Sequence, residues 1–65
     1  RHMEEVMLGI RLRDGISSTM LTASERFRVR GAIDAGLVHD RGGRVVLTDR
    51  GRLLADAVVR ELLDD

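Results

Sequence analysis

Side chains that could act as acids, bases or metal ligands are few and scattered along this chain of 65 residues. Residues 1–3, Arg1-His2-Met3, look like a cloning remnant, which would make residues 4–65 the native domain and His39 its only histidine. A catalytic histidine pair or a multi-histidine metal site therefore cannot be built within the native part of the chain. His39 is then either an ordinary surface residue or a metal ligand that acts alone.

The other reactive residue types form no catalytic arrangement. The chain has no cysteine, which excludes a cysteine nucleophile, a thiolate metal site and a sulfur-ligated cluster within it. Five carboxylates are spread over predicted helix surfaces and turns: Asp34, Asp40, Asp49, Asp56 and Glu61. No pair of them has a spacing that favours acid–base chemistry. We therefore predict no catalytic, cofactor-binding or metal-binding residue, and a chain that is not itself an enzyme.

Arginines supply the one pattern that suits nucleic-acid binding. Arg26 and Arg30 share a face of a predicted helix, and Arg41 and Arg44 flank the tip of a predicted hairpin. These four could contact phosphates or guanine edges. Against this, eleven basic and eleven acidic side chains cancel, and no asparagine or glutamine is present to read adenine. A DNA-binding winged helix is therefore kept as an alternative function, and arginines that solvate an exposed helix are the simpler explanation.

A hairpin followed by a helix is the clearest structural signal. Two β-prone runs, 37–40 and 44–47, flank Gly42-Gly43, which can supply the positive φ angles of a tight hairpin turn. Thr48 is placed to cap a helix that runs from about Arg50 to Leu63.

Two further helices are expected upstream of the hairpin. The first covers Glu4–Arg13 and ends at Gly15, and a short turn within 17–21 follows. The middle helix starts at the capping box of Thr22 and Glu25 and runs to about Ala35. The pattern predicts a mainly α domain with a small β-hairpin, a winged-helix-like three-helix module in the order α, short α, α, β, β, α.

Apolar residues occur on more than one side of the first and last helices. At 100° per residue, Leu8 and Leu12 point away from the face that contains Val6. The inward stripe predicted for the last helix comprises Leu53, Leu54, Ala57, Val58 and Leu62. Val59 and Leu63 lie outside this stripe. Surplus apolar surface on a small domain marks a contact, so we predict Leu8, Leu12, Val59 and Leu63 as docking residues. The alternative is that the two helices pack together and hide these side chains.

The length and hydropathy of the chain indicate its stability and its cellular location. A chain of this size builds one core of marginal stability. No apolar run approaches the roughly 20 residues needed to cross a bilayer, and no signal-peptide core begins the chain. We expect no membrane span and a cytoplasmic location.

Three sequence blocks carry a family resemblance. EVMLGIRLRDGI at 5–16, AGLV at 35–38 and VLTDRGRLLAD at 46–56 together resemble the C-terminal domain of the oxygen-independent coproporphyrinogen III oxidase-like family, whose members include haem chaperones. The resemblance covers nearly all of residues 4–65. It implies a parent radical-SAM barrel with a four-iron–four-sulfur cluster on a three-cysteine motif and bound S-adenosylmethionine.

The same resemblance implies an accessory role for this domain. None of the cluster or cofactor positions of the family has a counterpart here, so no catalytic residue is carried over. The domain is expected to pack on the barrel near the site of a porphyrin or haem, where His39 could serve as one axial ligand. The sequence leaves open whether the parent is an oxidase or a haem chaperone, and whether the domain is instead a free-standing DNA-binding or protein-interaction module.

Overall fold

Four helices surround a small three-stranded sheet in the computed structural model, which describes residues 2–63. The helices are α1 (His2–Ile10), α2 (Ala23–Asp34), α3 (Asp49–Leu53) and α4 (Ala55–Leu62); the strands are β1 (Ile16–Ser17), β2 (Val38–Arg41) and β3 (Arg44–Leu47); a 3₁₀ turn covers Ser18–Met20. The prediction of a mainly helical domain with a small hairpin is confirmed. The structure adds a third strand and divides the last helix in two.

The sheet has the antiparallel order β1-β3-β2. Its hairpin turns at Gly42 and Gly43, whose φ angles of 60° and 86° confirm the predicted turn, and the Gly43 amide donates to the Asp40 carboxylate at 3.1 Å. Strand β1, which pairs Ile16 with Val45, was missed because two residues carry no alternation signal. Its pairing depends on Gly15, at φ 66°, where a Cβ atom would overlap the Val45 carbonyl oxygen.

Helix α2 begins at the predicted capping box. The Thr22 hydroxyl accepts from the Glu25 amide at 3.1 Å, and the Glu25 carboxylate accepts from the Thr22 amide at 2.9 Å. Glu25 is buried, with only 1% of its surface exposed. Phe27 on this helix is 72% exposed, because its position on α2 faces away from the core.

Helix α1 is shorter at its carboxyl end than expected. It begins at His2 and ends at Ile10, so Arg11 and Arg13 lie in the turn that follows rather than in its last turn. His2 lies within 2.9 Å of the buried Glu25 carboxylate, and Met3 packs against the core. The interpretation of residues 1–3 as a cloning remnant stays a prediction.

The break between α3 and α4 decides which side chains are buried. Leu54 adopts φ −118° and ψ 26°, outside the helical region, and its amide bonds to the Gly51 carbonyl at 3.0 Å. This break rotates α4 relative to α3. Val59 and Leu63 are therefore 0% and 5% exposed, and their prediction as docking residues on the surface is wrong.

One core joins all the layers. It is formed by apolar side chains of the sheet, of α1, α2 and α4, and of the segments between them: Val6, Ile10, Ile16, Leu21, Val29, Ala32, Val38, Val45, Leu47, Ala55, Val58, Val59, Leu62 and Leu63. Helix α4 contacts both α1 and α2, while β1 and β2 extend the sheet on either side of β3. The two end helices thus do pack together, but they leave Leu8 and Leu12 outside.

Gly51 sits where α3 meets the backbone that enters the sheet. A Cβ atom on Gly51 would overlap the Leu37 carbonyl oxygen, which also accepts from the Thr48 amide at 3.0 Å. Gly31, a second helical glycine, has nothing within 4 Å of such an atom. Of these two glycines, only Gly51 is therefore required by packing.

Replacing these two glycines should have opposite effects. Gly51→Ala should lower the free energy of unfolding by roughly 1–3 kcal/mol, because α3 must move off the sheet. Gly31→Ala should raise it by about 0.5–1 kcal/mol, because alanine loses less conformational entropy on forming a helix. Urea unfolding followed by circular dichroism measures both. Equal effects would contradict the close packing of α3 on Leu37.

The capping box provides a second stability prediction. Glu25→Ala should cost about 1–2 kcal/mol, because the Thr22 amide loses its acceptor and a void opens beside α1. Glu25→Gln retains an amide oxygen as acceptor and should recover most of this loss. Thermal unfolding of the two variants is compared with Glu61→Ala, an exposed control expected to stay within about 0.5 kcal/mol of the parent.

Candidate functional site

Four exposed leucines form the largest departure from a sealed core. Leu8 and Leu12 are 72% and 62% exposed, as their helical positions predicted. Leu53 and Leu54 are 87% and 47% exposed, although the sequence placed both in the inward stripe of a continuous helix. We call these four residues the leucine face. Because the helix breaks at Leu54, Leu53 and Leu54 are on the surface, and Val59 and Leu63 are buried in their place.

Polar contacts hold the two halves of the leucine face together. The Arg52 guanidinium donates to the Arg11 carbonyl at 2.9 Å, which ties α3 to the turn after α1. The Arg11 guanidinium in turn donates to the Asp56 carboxylate at the start of α4. Leu12 and Leu53 therefore belong to neighbouring segments. Both partners of the ion pair are well exposed, so the pair orients these segments and adds little stability.

The arginines predicted for DNA binding do not form one surface. Arg26 and Arg30 line a groove of about 450 Å³ between α2 and the hairpin, beside Asp40. Arg41 points to the opposite side of the hairpin, since the register that pairs it with Arg44 alternates with the Asp40–Val45 pair.

Two of these four guanidinium groups already bind backbone carbonyls. Arg26 donates to the Leu21 carbonyl at 2.8 Å, and Arg44 donates to the carbonyls of Asp14 and Gly15 at 2.8 and 3.1 Å. These bonds hold the 3₁₀ segment against α2 and β1 against β3. Both residues therefore have a structural role, which could not be predicted from the sequence because the carbonyls that they bind lie in other segments.

A second cationic surface was missed as a unit. Arg13, Arg41, Arg50 and Arg52 line a groove of about 510 Å³ together with His39, and we call these five residues the arginine groove. His39 pairs with Val46 across the hairpin, on the same side of the sheet as Arg41. Arg13, Arg50 and Arg52 could not be assigned to this surface from the sequence, because they come from turns and a helix that only the tertiary fold brings to the hairpin.

Metal ligands are not grouped in the part of the chain that the structure describes. Among residues 2–63, no set of three histidine, cysteine or acidic side chains is placed to hold a metal ion. No helix within the same range is both long enough and apolar enough to span a membrane.

Comparison with known proteins gives one family. The model of the HemN C-terminal domain matches residues 1–54. Two curated relatives, the haem chaperones HemW of Mycobacterium tuberculosis strains CDC 1551 / Oshkosh and ATCC 25618 / H37Rv, are each 53% identical over 62 residues, which is 95% of this chain and 16% of theirs. No solved structure matches significantly.

The share of each chain that is aligned determines what these matches show. The chain spans about a sixth of the curated relatives and corresponds to a single domain of them. Because the family model covers most of the chain and the identity extends over nearly all of it, the resemblance inferred from the three sequence blocks is confirmed. The chain belongs to the HemN C-terminal domain family and resembles the corresponding domain of a haem chaperone.

Proposed function

We propose that this chain is a non-catalytic accessory domain that packs on the radical-SAM barrel of a haem chaperone. The observation that carries this proposal is the 53% identity to haem chaperones over a stretch that makes up only 16% of their length. The haem chaperone is favoured over the oxidase because both curated relatives bear that name.

The leucine face supports a docking role. Two leucines of α1 and its following turn, and two at the end of α3, stay in water after the domain has formed its own core. Covering a fully exposed leucine is worth roughly 1.5–3 kcal/mol, so a partner that buries Leu8 and Leu12 gains enough to hold the domain in place. The occupant proposed for this face is another part of the same polypeptide, because this chain matches only 16% of the relatives' length.

Cofactors of the parent would bind outside this domain. A four-iron–four-sulfur cluster on a three-cysteine motif cannot be ligated by a chain that contains no cysteine. The cluster and S-adenosylmethionine are therefore assigned to the barrel, and haem or a porphyrin to the region between the barrel and this domain. The cytoplasmic location and an axial-ligand role for His39, which is exposed, stay predictions.

DNA binding receives no specific support. The four arginines on which it depended lie on two sides of the hairpin, and Arg26 and Arg44 are engaged by backbone carbonyls.

Charging the leucine face should release the domain from its parent. In the full-length protein, the double variant Leu8→Glu/Leu12→Glu should raise the rate of proteolytic cleavage between this domain and the barrel at least tenfold, because about 1.4 kcal/mol or more of apolar burial is lost. Haem binding, followed by absorption spectroscopy, should weaken with it.

Phe27→Glu is the matched control. Phe27 is 72% exposed, as Leu8 is, but it lies on α2 beside Arg26 and Arg30 and away from the leucine face. It should leave both readouts unchanged. If the double variant behaves like this control, the docking role is wrong. If the wild-type protein self-associates and the leucine variant does not, the face binds a second copy instead of the barrel.

A further inference from the structure

The arginine groove concentrates positive charge in a chain whose formal net charge is zero. Four arginines and His39 line it, and Asp49 is the one acidic residue in its lining. These five cationic or basic side chains are all exposed. The groove therefore offers a local positive potential that the overall composition does not reveal.

Three of the groove's guanidinium groups have no partner of their own. Within residues 2–63, Arg13, Arg41 and Arg50 make no hydrogen bond or ion pair, and neither does the carboxylate of Asp49. Arg52 differs, because it is held by its bond to the Arg11 carbonyl. Guanidinium groups that line one groove and have no acceptor within the protein suit a ligand with carboxylate or phosphate groups.

The groove borders the leucine face. Leu12 lies between Arg11 and Arg13 in the turn after α1, and Leu53 directly follows Arg52. A ligand at this border meets apolar side chains on one side and guanidinium groups on the other. The floor of the groove itself is not apolar surface, because Val46 and Leu47 are 8% and 3% exposed. A large apolar ring would therefore lie over the leucines, and only its anionic edge would enter the groove.

We infer that the arginine groove binds the propionate carboxylates of a tetrapyrrole held between this domain and its parent. The inference rests on the proposed function, and it assigns to this domain the recognition of the acidic edge of the ligand. Haem is flat and apolar and has its propionate carboxylates along one edge. This arrangement matches the shared border of the two surfaces. A nucleic acid fits less well, because no phenylalanine, tyrosine or tryptophan lines the groove for a base to stack on.

The test compares haem with haem dimethyl ester, which has the same iron and ring but no free carboxylate. In the full-length protein, Arg41→Gln and Arg50→Gln should each weaken haem binding roughly three- to tenfold, as expected for one charge-assisted contact at an exposed site. Binding of the dimethyl ester should not change. Haem affinity should also fall with added salt, whereas that of the ester should not.

Arg30→Gln is the control, since it removes one exposed arginine from the groove between α2 and the hairpin. It should leave the affinity for both compounds unaltered. Equal losses for haem and ester, or no loss for either variant, would overturn the inference while the proposed function stands. Absence of haem binding by the wild-type protein would overturn both. Salt-sensitive binding of a DNA duplex that Arg41→Gln removes would assign the groove to phosphates and also reject the propionate site.

Discussion

The contact between Gly51 and the Leu37 carbonyl is the constraint on which the other features depend. It brings α3 against the backbone that leads into β2, and the Thr48 side chain reinforces it by donating to the Gly36 carbonyl at 2.7 Å. With α3 fixed in this way, a helix that continued without a break to residue 63 would not pack its apolar side chains against the core. The chain breaks at Leu54, and α4 turns its valines and leucines inward.

Both candidate surfaces include residues of α3 or of the break that follows it. Leu53 and Leu54 are exposed to water, as Leu8 and Leu12 are. Arg50 and Arg52, from the same short helix, are brought to the side of the hairpin that carries His39 and Arg41. An apolar surface and a cationic surface thus both include residues of α3, and the contact of Gly51 with Leu37 positions the residues that α3 contributes to them.

The distribution of charge explains how a neutral chain can recognise an anion. Arg44 on β3 and Arg26 on α2 serve the fold, because their guanidinium groups donate hydrogen bonds to backbone carbonyls of neighbouring segments. Among the residues that the structure describes, 2–63, the arginines of the groove make no such bond apart from Arg52. Residues of one type therefore divide into structural and recognition roles according to their surroundings, which composition alone does not distinguish.

Local signals in the sequence determined the starts of α2 and α3, the hairpin and the exposure of Leu8 and Leu12. The capping box at Thr22, the Gly42-Gly43 turn and the cap at Thr48 each depend on residues within a few positions of one another. These features can therefore be predicted from the sequence alone. Only the tertiary structure decided the pairing of β1, the break at Leu54 and the assembly of the arginine groove. Each of these requires backbone or side chains from segments far apart in the chain, and the interior position of Val59 and Leu63 follows from packing between α1, α2 and α4. Helical periodicity cannot register such a break, because it assumes one continuous axis.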